Sequence, residues 1–66
     1  MELKYVTEIS LNKETKFEVY KEPEGLYTVR YLEFFADCGW RACFPDEVHC
    51  TRDAVKAMLG EDIFNF

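Results

Sequence analysis

Three cysteines and the single histidine of this chain crowd into one short stretch. Cys38, Cys43, His49 and Cys50 form a C-x4-C-x5-H-C arrangement. Thiolate and imidazole are the ligands zinc prefers, four of them in a tetrahedron, so a small structural zinc module is one reading of the stretch. The spacing works against it. Neighbours such as His49 and Cys50 rarely aim at one ion, and Cys38 and Cys43 straddle a turn with no C-x-x-C pair. Free cysteine is common in protein interiors, and ordinary packing is the better account. No metal or other cofactor is expected.

The same residues raise covalent catalysis. A cysteine nucleophile needs its thiolate stabilised by a nearby cation or a helix N-terminus, and His49-Cys50 lie just ahead of a predicted helix. No third residue that would orient the histidine is identifiable, and 66 residues leave little room for a substrate cleft. Carboxylates also occur in pairs: Glu22/Glu24, Glu33/Asp37, Asp46/Glu47 and Glu61/Asp62. Paired acids do acid–base work across a cleft, whereas most of these sit at predicted turns, where acids hydrate well. The chain reads as non-enzymatic.

The net charge is −5, with acids and bases interspersed. Without a basic run, binding to phosphate backbones has little support. Acidity serves solubility, or attraction to a basic partner surface. No apolar run approaches the roughly 18 residues of a membrane span, and no leader pattern opens the chain. An odd number of cysteines, three, fits a reducing compartment. One small globular domain over residues 1–66, cytoplasmic in location, is the expectation. A domain this size buries only about 60% of its unfolded surface. Eleven aromatic residues partly compensate, and a homodimer would add to that.

Residues 3–11 alternate, with Leu3, Tyr5, Thr7, Ile9 and Leu11 on one face and Lys4, Glu8 and Ser10 on the other. That pattern, rich in β-branched residues, predicts a strand. A polar turn at Asn12–Thr15 leads to a second strand over Lys16–Lys21. Glu22-Pro23-Glu24-Gly25 then supplies proline for the second turn position and glycine for a left-handed one, the composition of a three-residue hairpin loop. The loop sets Val19 opposite Val29, Phe17 opposite Tyr31, Glu18 opposite Arg30 and Tyr20 opposite Thr28. Apolar meets apolar and acid meets base.

Leu26–Phe44 carries six of the aromatics. A two-residue turn at Cys38-Gly39 would set Phe35 opposite Ala42 and Glu33 opposite Phe44. Phe35, Trp40, Ala42 and Phe44 then join Val29 and Tyr31 on one face, and Leu26, Leu32, Phe34 and Cys43 collect on the other. Pro45-Asp46 ends the fourth strand. Thr51 as N-cap, Asp53 in the first turn and Gly60 as C-cap bound a short helix with a Val55/Met58/Leu59 stripe. The predicted class is α+β: a four-stranded antiparallel meander followed by one C-terminal helix on one sheet face. One helix cannot cover both faces.

Two local resemblances accompany this reading. Trp40-Arg41-Ala42-Cys43-Phe44-Pro45-Asp46, followed by Thr51 and Asp53-Ala54-Val55, resembles the strand–Phe-Pro-Asp–helix passage of HicB-type antitoxins. Glu47-Val48-His49-Cys50 stands where that family has a glycine-containing link. Glu61-Asp62-Ile63-Phe64-Asn65-Phe66 resembles the acidic, phenylalanine-ended tip of bacterial single-stranded-DNA-binding proteins, which docks on replication and repair partners; Asn65 replaces a proline there. Four strands and a helix are also the element order of whirly-type single-stranded nucleic-acid binders.

The functional expectation is a small acidic protein-binding module that occupies the basic, nucleic-acid-binding surface of a protein partner. Such a chain suits an inhibitor carried by a phage or mobile element, of anti-CRISPR or anti-restriction type. Glu22, Glu24, Asp46 and Glu47 would steer association as a mimic of DNA phosphates. Tyr20, Leu32 and Phe34 would anchor it. The alternative is direct binding of single-stranded nucleic acid by stacking on the sheet.

Overall fold

The computed structural model describes residues 2–66. Five strands precede one helix: β1 (Lys4–Asn12), β2 (Thr15–Lys21), β3 (Tyr27–Phe35), β4 (Gly39–Ala42), β5 (Glu47–Cys50) and α1 (Arg52–Leu59). The first four strands pair in chain order and antiparallel, and the C-terminal helix packs against β3, so the class is the α+β expected. The strand β5 was not anticipated. It pairs antiparallel with β3 through Tyr27 and Val29, on the edge that β4 uses further along.

The β2–β3 hairpin has the register its loop chemistry dictates, Val19 against Val29 and Glu18 against Arg30. The Gly25 N–H donates to the Glu22 carbonyl at 3.1 Å, and the Glu22 N–H donates to the Leu26 carbonyl at 2.8 Å. Gly25 sits at φ 93°, open to glycine because it lacks a Cβ.

The next hairpin differs from expectation. Phe35 faces Gly39 rather than Ala42, Phe34 faces Trp40, and Leu32 faces Ala42. A longer turn at Ala36–Cys38, closed by the Cys38 N–H on the Phe35 carbonyl, takes the place of a two-residue turn at Cys38-Gly39. An odd shift in pairing exchanges the faces of a strand. Trp40 and Ala42 therefore join Leu32 and Phe34 on the face away from the helix. Phe44, beyond the end of β4, still reaches the helix face, its ring 5.4 Å from Tyr31.

A bulge corrects the reading of β1 as well. Tyr5 pairs with Tyr20 but Thr7 pairs with Val19, leaving Val6 as the extra residue. The bulge turns Tyr5 to the face of Glu8 and Ser10, and lets Val6 pack toward the core.

Val19 and Val55 are fully buried, and Val29, Tyr27 and Ile63 are buried with them, flanked by Ile9, Phe17, Leu59 and Phe64. The helix begins where the Thr51 hydroxyl accepts from the Ala54 N–H at 3.1 Å and stops where the Gly60 N–H meets the Lys56 carbonyl. Its stripe is only partly used: Val55 and Leu59 face the sheet, while Met58 stays exposed. The tail folds back on the same side, with the Phe64 ring 5.0 Å from Tyr27.

The turn at Gly39 can be tested by its backbone alone, since a Cβ there meets nothing within 4 Å. Gly39 holds φ 79°, so Gly39→Ala should cost about 1 kcal/mol in urea unfolding, and Gly39→Asn distinctly less. Equal stability of all three would contradict this turn.

Candidate functional site

The sheet face away from the helix gathers Tyr20, Leu32 and Phe34 of the residues expected to act. β1 contributes Tyr5, Glu8 and Ser10, β2 Lys16, Glu18 and Tyr20, β3 Thr28, Arg30, Leu32 and Phe34, and β4 Trp40 and Ala42. Period-two alternation along each strand is what aligns them.

Three zones cross this face. At one end Phe34 and Trp40 pack edge to face, ring centroids 5.5 Å apart, and remain 42% and 39% exposed. Leu32 lies beneath, only 7% exposed. The Lys16 ammonium crosses β3 to sit 4.7 Å from the centre of the Trp40 ring. Leu32 was expected in the exposed patch; instead the Lys16 chain and the displaced Trp40 enclose it. Trp40 was assigned to the core, and the altered register delivers it to the surface.

The middle zone is an ion network. Arg30 grips Asp46 with two parallel hydrogen bonds, each 3.1 Å, the geometry a guanidinium fork favours. Its charge also lies 5.2 Å from the Tyr20 ring. The Tyr20 hydroxyl donates to Glu18 at 2.7 Å, and Lys16 bridges Glu8 and Glu18 at 3.5 and 3.3 Å. These bonds raise the Tyr20 phenol and the Arg30 guanidinium above their ordinary values, because a carboxylate acceptor favours the protonated donor.

The third zone overturns the expectation for Glu22. Rather than standing at the loop surface, it is 3% exposed. Its Oε2 accepts from the Thr28 hydroxyl at 2.7 Å and from the His49 N–H at 2.8 Å. Its Oε1 lies 2.8 Å from His49 Nδ1. These donors, led by the His49 backbone, pull the Glu22 carboxyl below its ordinary 4.5. His49 itself takes φ 58° at the bulge in β5.

Of the four acids proposed to steer a partner, Glu22 is interior and Asp46 is engaged by Arg30; Glu24 and Glu47 are exposed. They do not form a line of four. Tyr20 is half-buried within the network, and Phe34 is exposed as expected. Trp40 is the member sequence reading missed; the only signal was its place near a glycine turn of uncertain length.

Among the described residues, no three His, Cys, Asp or Glu side chains group as a metal site. Cys38, Cys43 and Cys50 are free thiols. Cys43 donates to Glu33 at 3.2 Å, and that carboxylate pushes the thiol up; burial pushes Cys50 up. Both therefore favour the protonated, weakly nucleophilic form. In the tail, Ile63 is buried rather than presented for docking. No described helix is long and apolar enough to cross a membrane. Comparisons with protein-family models, curated proteins and solved structures returned no significant match.

The buried carboxylate has a measurable pH signature. A group whose native value is lowered contributes stability above its unfolded value and loses it as pH falls through the native one. Acidification below 4.5, the ordinary value, should therefore lower the melting temperature. Glu22→Gln should lower it at pH 7 by more than about 5 °C, with the difference shrinking in acid. A pH-independent difference would show that Glu22 acts through shape alone.

Proposed function

We propose that this chain is a non-enzymatic, acidic protein-binding module that docks through the Phe34–Trp40 pair. The observation that carries this reading is two large rings, in contact and both about two-fifths exposed, over a buried leucine. Rings immobilised against each other lose little freedom on binding, which suits a hot spot. The net charge of −5 and the exposed Glu24 and Glu47 favour a partner with a basic surface. A protein that handles nucleic acid has such a surface, and inhibition by occupying it is the mode of action we infer.

Direct binding of nucleic acid is less well supported. Stacking platforms work beside free cations, whereas Lys16 and Arg30 are each paired with carboxylates.

Affinity capture from the native host tests the proposal. A partner should be retained by the native chain, with Trp40→Ser weakening it roughly thirtyfold. Retention unchanged by both Trp40→Ser and Phe34→Ser would overturn it. Trp40 is the sole tryptophan, so its fluorescence reports on the alternative: single-stranded oligonucleotides should leave it unchanged. Saturable quenching would transfer the assignment to nucleic acid.

A further inference from the structure

The helix face contains a second feature, independent of the Phe34–Trp40 pair. The eight residues of α1 cover the sheet around Val29 but stop short of its far end. The chain between β4 and β5 crosses that end and leaves an open cleft of about 360 Å³. Phe17, Tyr31, Phe44, Pro45 and Met58 line it with Val29. The three rings are continuous, Phe17 to Tyr31 at 5.1 Å and Tyr31 to Phe44 at 5.4 Å. Phe44 and Met58 are 63% and 45% exposed, so the cleft presents apolar surface to solvent. The volume falls within the few hundred cubic ångströms typical of binding pockets.

Among the described residues, Glu47 is the only charged one lining this cleft. Asp46 before it is taken by Arg30, whereas the Glu47 carboxylate makes no hydrogen bond or ion pair among the described residues. We infer that the cleft is a docking site for a short segment of a partner protein carrying an apolar side chain beside a lysine or arginine. The apolar group enters between Met58 and Phe44, where a flexible thioether adapts to varied shapes. The cation meets Glu47 at the rim, over ring faces that themselves attract positive charge. A second copy is disfavoured as occupant: each carries a net charge of −5 and would bring another acidic rim against the first.

The test uses a capped pentapeptide with a central leucine flanked by lysines, and its counterpart with glutamates, followed by NMR shifts on the whole chain. The lysine peptide should move the Met58 methyl and the Phe44 and Glu47 amides; the glutamate peptide should not. Glu47→Lys should weaken the lysine peptide about fivefold, and Glu24→Lys, which removes the same charge outside the cleft, less than about twofold. Phe44→Ser, at an exposed ring, should abolish saturation while leaving far-UV circular dichroism unchanged. Equal losses for the two charge reversals would reduce the effect to diffuse attraction and overturn the inference. Shifts centred on Phe34 and Trp40 would overturn it and favour the opposite face. Concentration-dependent shifts of the cleft residues without peptide would assign the cleft to a second copy instead.

Discussion

The Glu22 carboxylate joins two parts of the chain that local forces leave independent. It belongs to the β2–β3 loop, yet two of its bonds reach His49, 27 residues away. A buried carboxylate is tolerated only when donors surround it, and here Thr28 and His49 supply them. The bond also meets a backbone need. His49 holds a left-handed φ of 58°, a conformation that costs a residue with a Cβ about 1–2 kcal/mol. Anchoring its N–H offsets that strain and holds the bulge of β5 against β3. Thr51 follows directly, so the position of β5 sets where α1 starts and which residues Val55 meets.

The two sheet faces then serve different ends. Toward the helix, valines, Tyr27 and the folded-back tail close a core that one short helix could not fill. Away from it, charge is balanced locally: Asp46 answers Arg30, while Glu8 and Glu18 answer Lys16. Free acid is left at the edges, on Glu24 and Glu47, and free apolar surface at Phe34 and Trp40. That distribution suits contact with a protein surface, where apolar anchors hold and peripheral charge guides approach. A string of phosphates is imitated poorly by acids already paired.

How much of this was legible varied with how local the cause was. Pro23 and Gly25 leave one reasonable loop, and the acid–base and apolar pairs on both flanks agree with it, so the β2–β3 register followed from residue types. Asp37-Cys38-Gly39-Trp40 admits more than one turn. The strands around it carry large apolar residues on both faces, so alternation did not penalise the wrong register. Alternation alone therefore places Trp40 on the wrong face and leaves Leu32, on its expected face, without the cover that buries it. Glu22 differs for another reason: an acid beside a proline turn looks solvated, and two of its three partner atoms belong to His49, whose left-handed conformation on β5 has no sequence signature.

The amino-acid sequence alone determined the class, the first three strands, the central hairpin register and the capped helix from Thr51 to Gly60, because neighbouring residues control turns, alternation and caps. Only the tertiary structure decided the burial of Glu22, the existence of β5, the turning of Trp40 to the surface and the return of Ile63 and Phe64 to the core. The burial of Glu22, β5 and the tail each depend on a contact between distant segments, whose energy exists only once both are in place, whereas Trp40 follows from a turn that its own residues leave open.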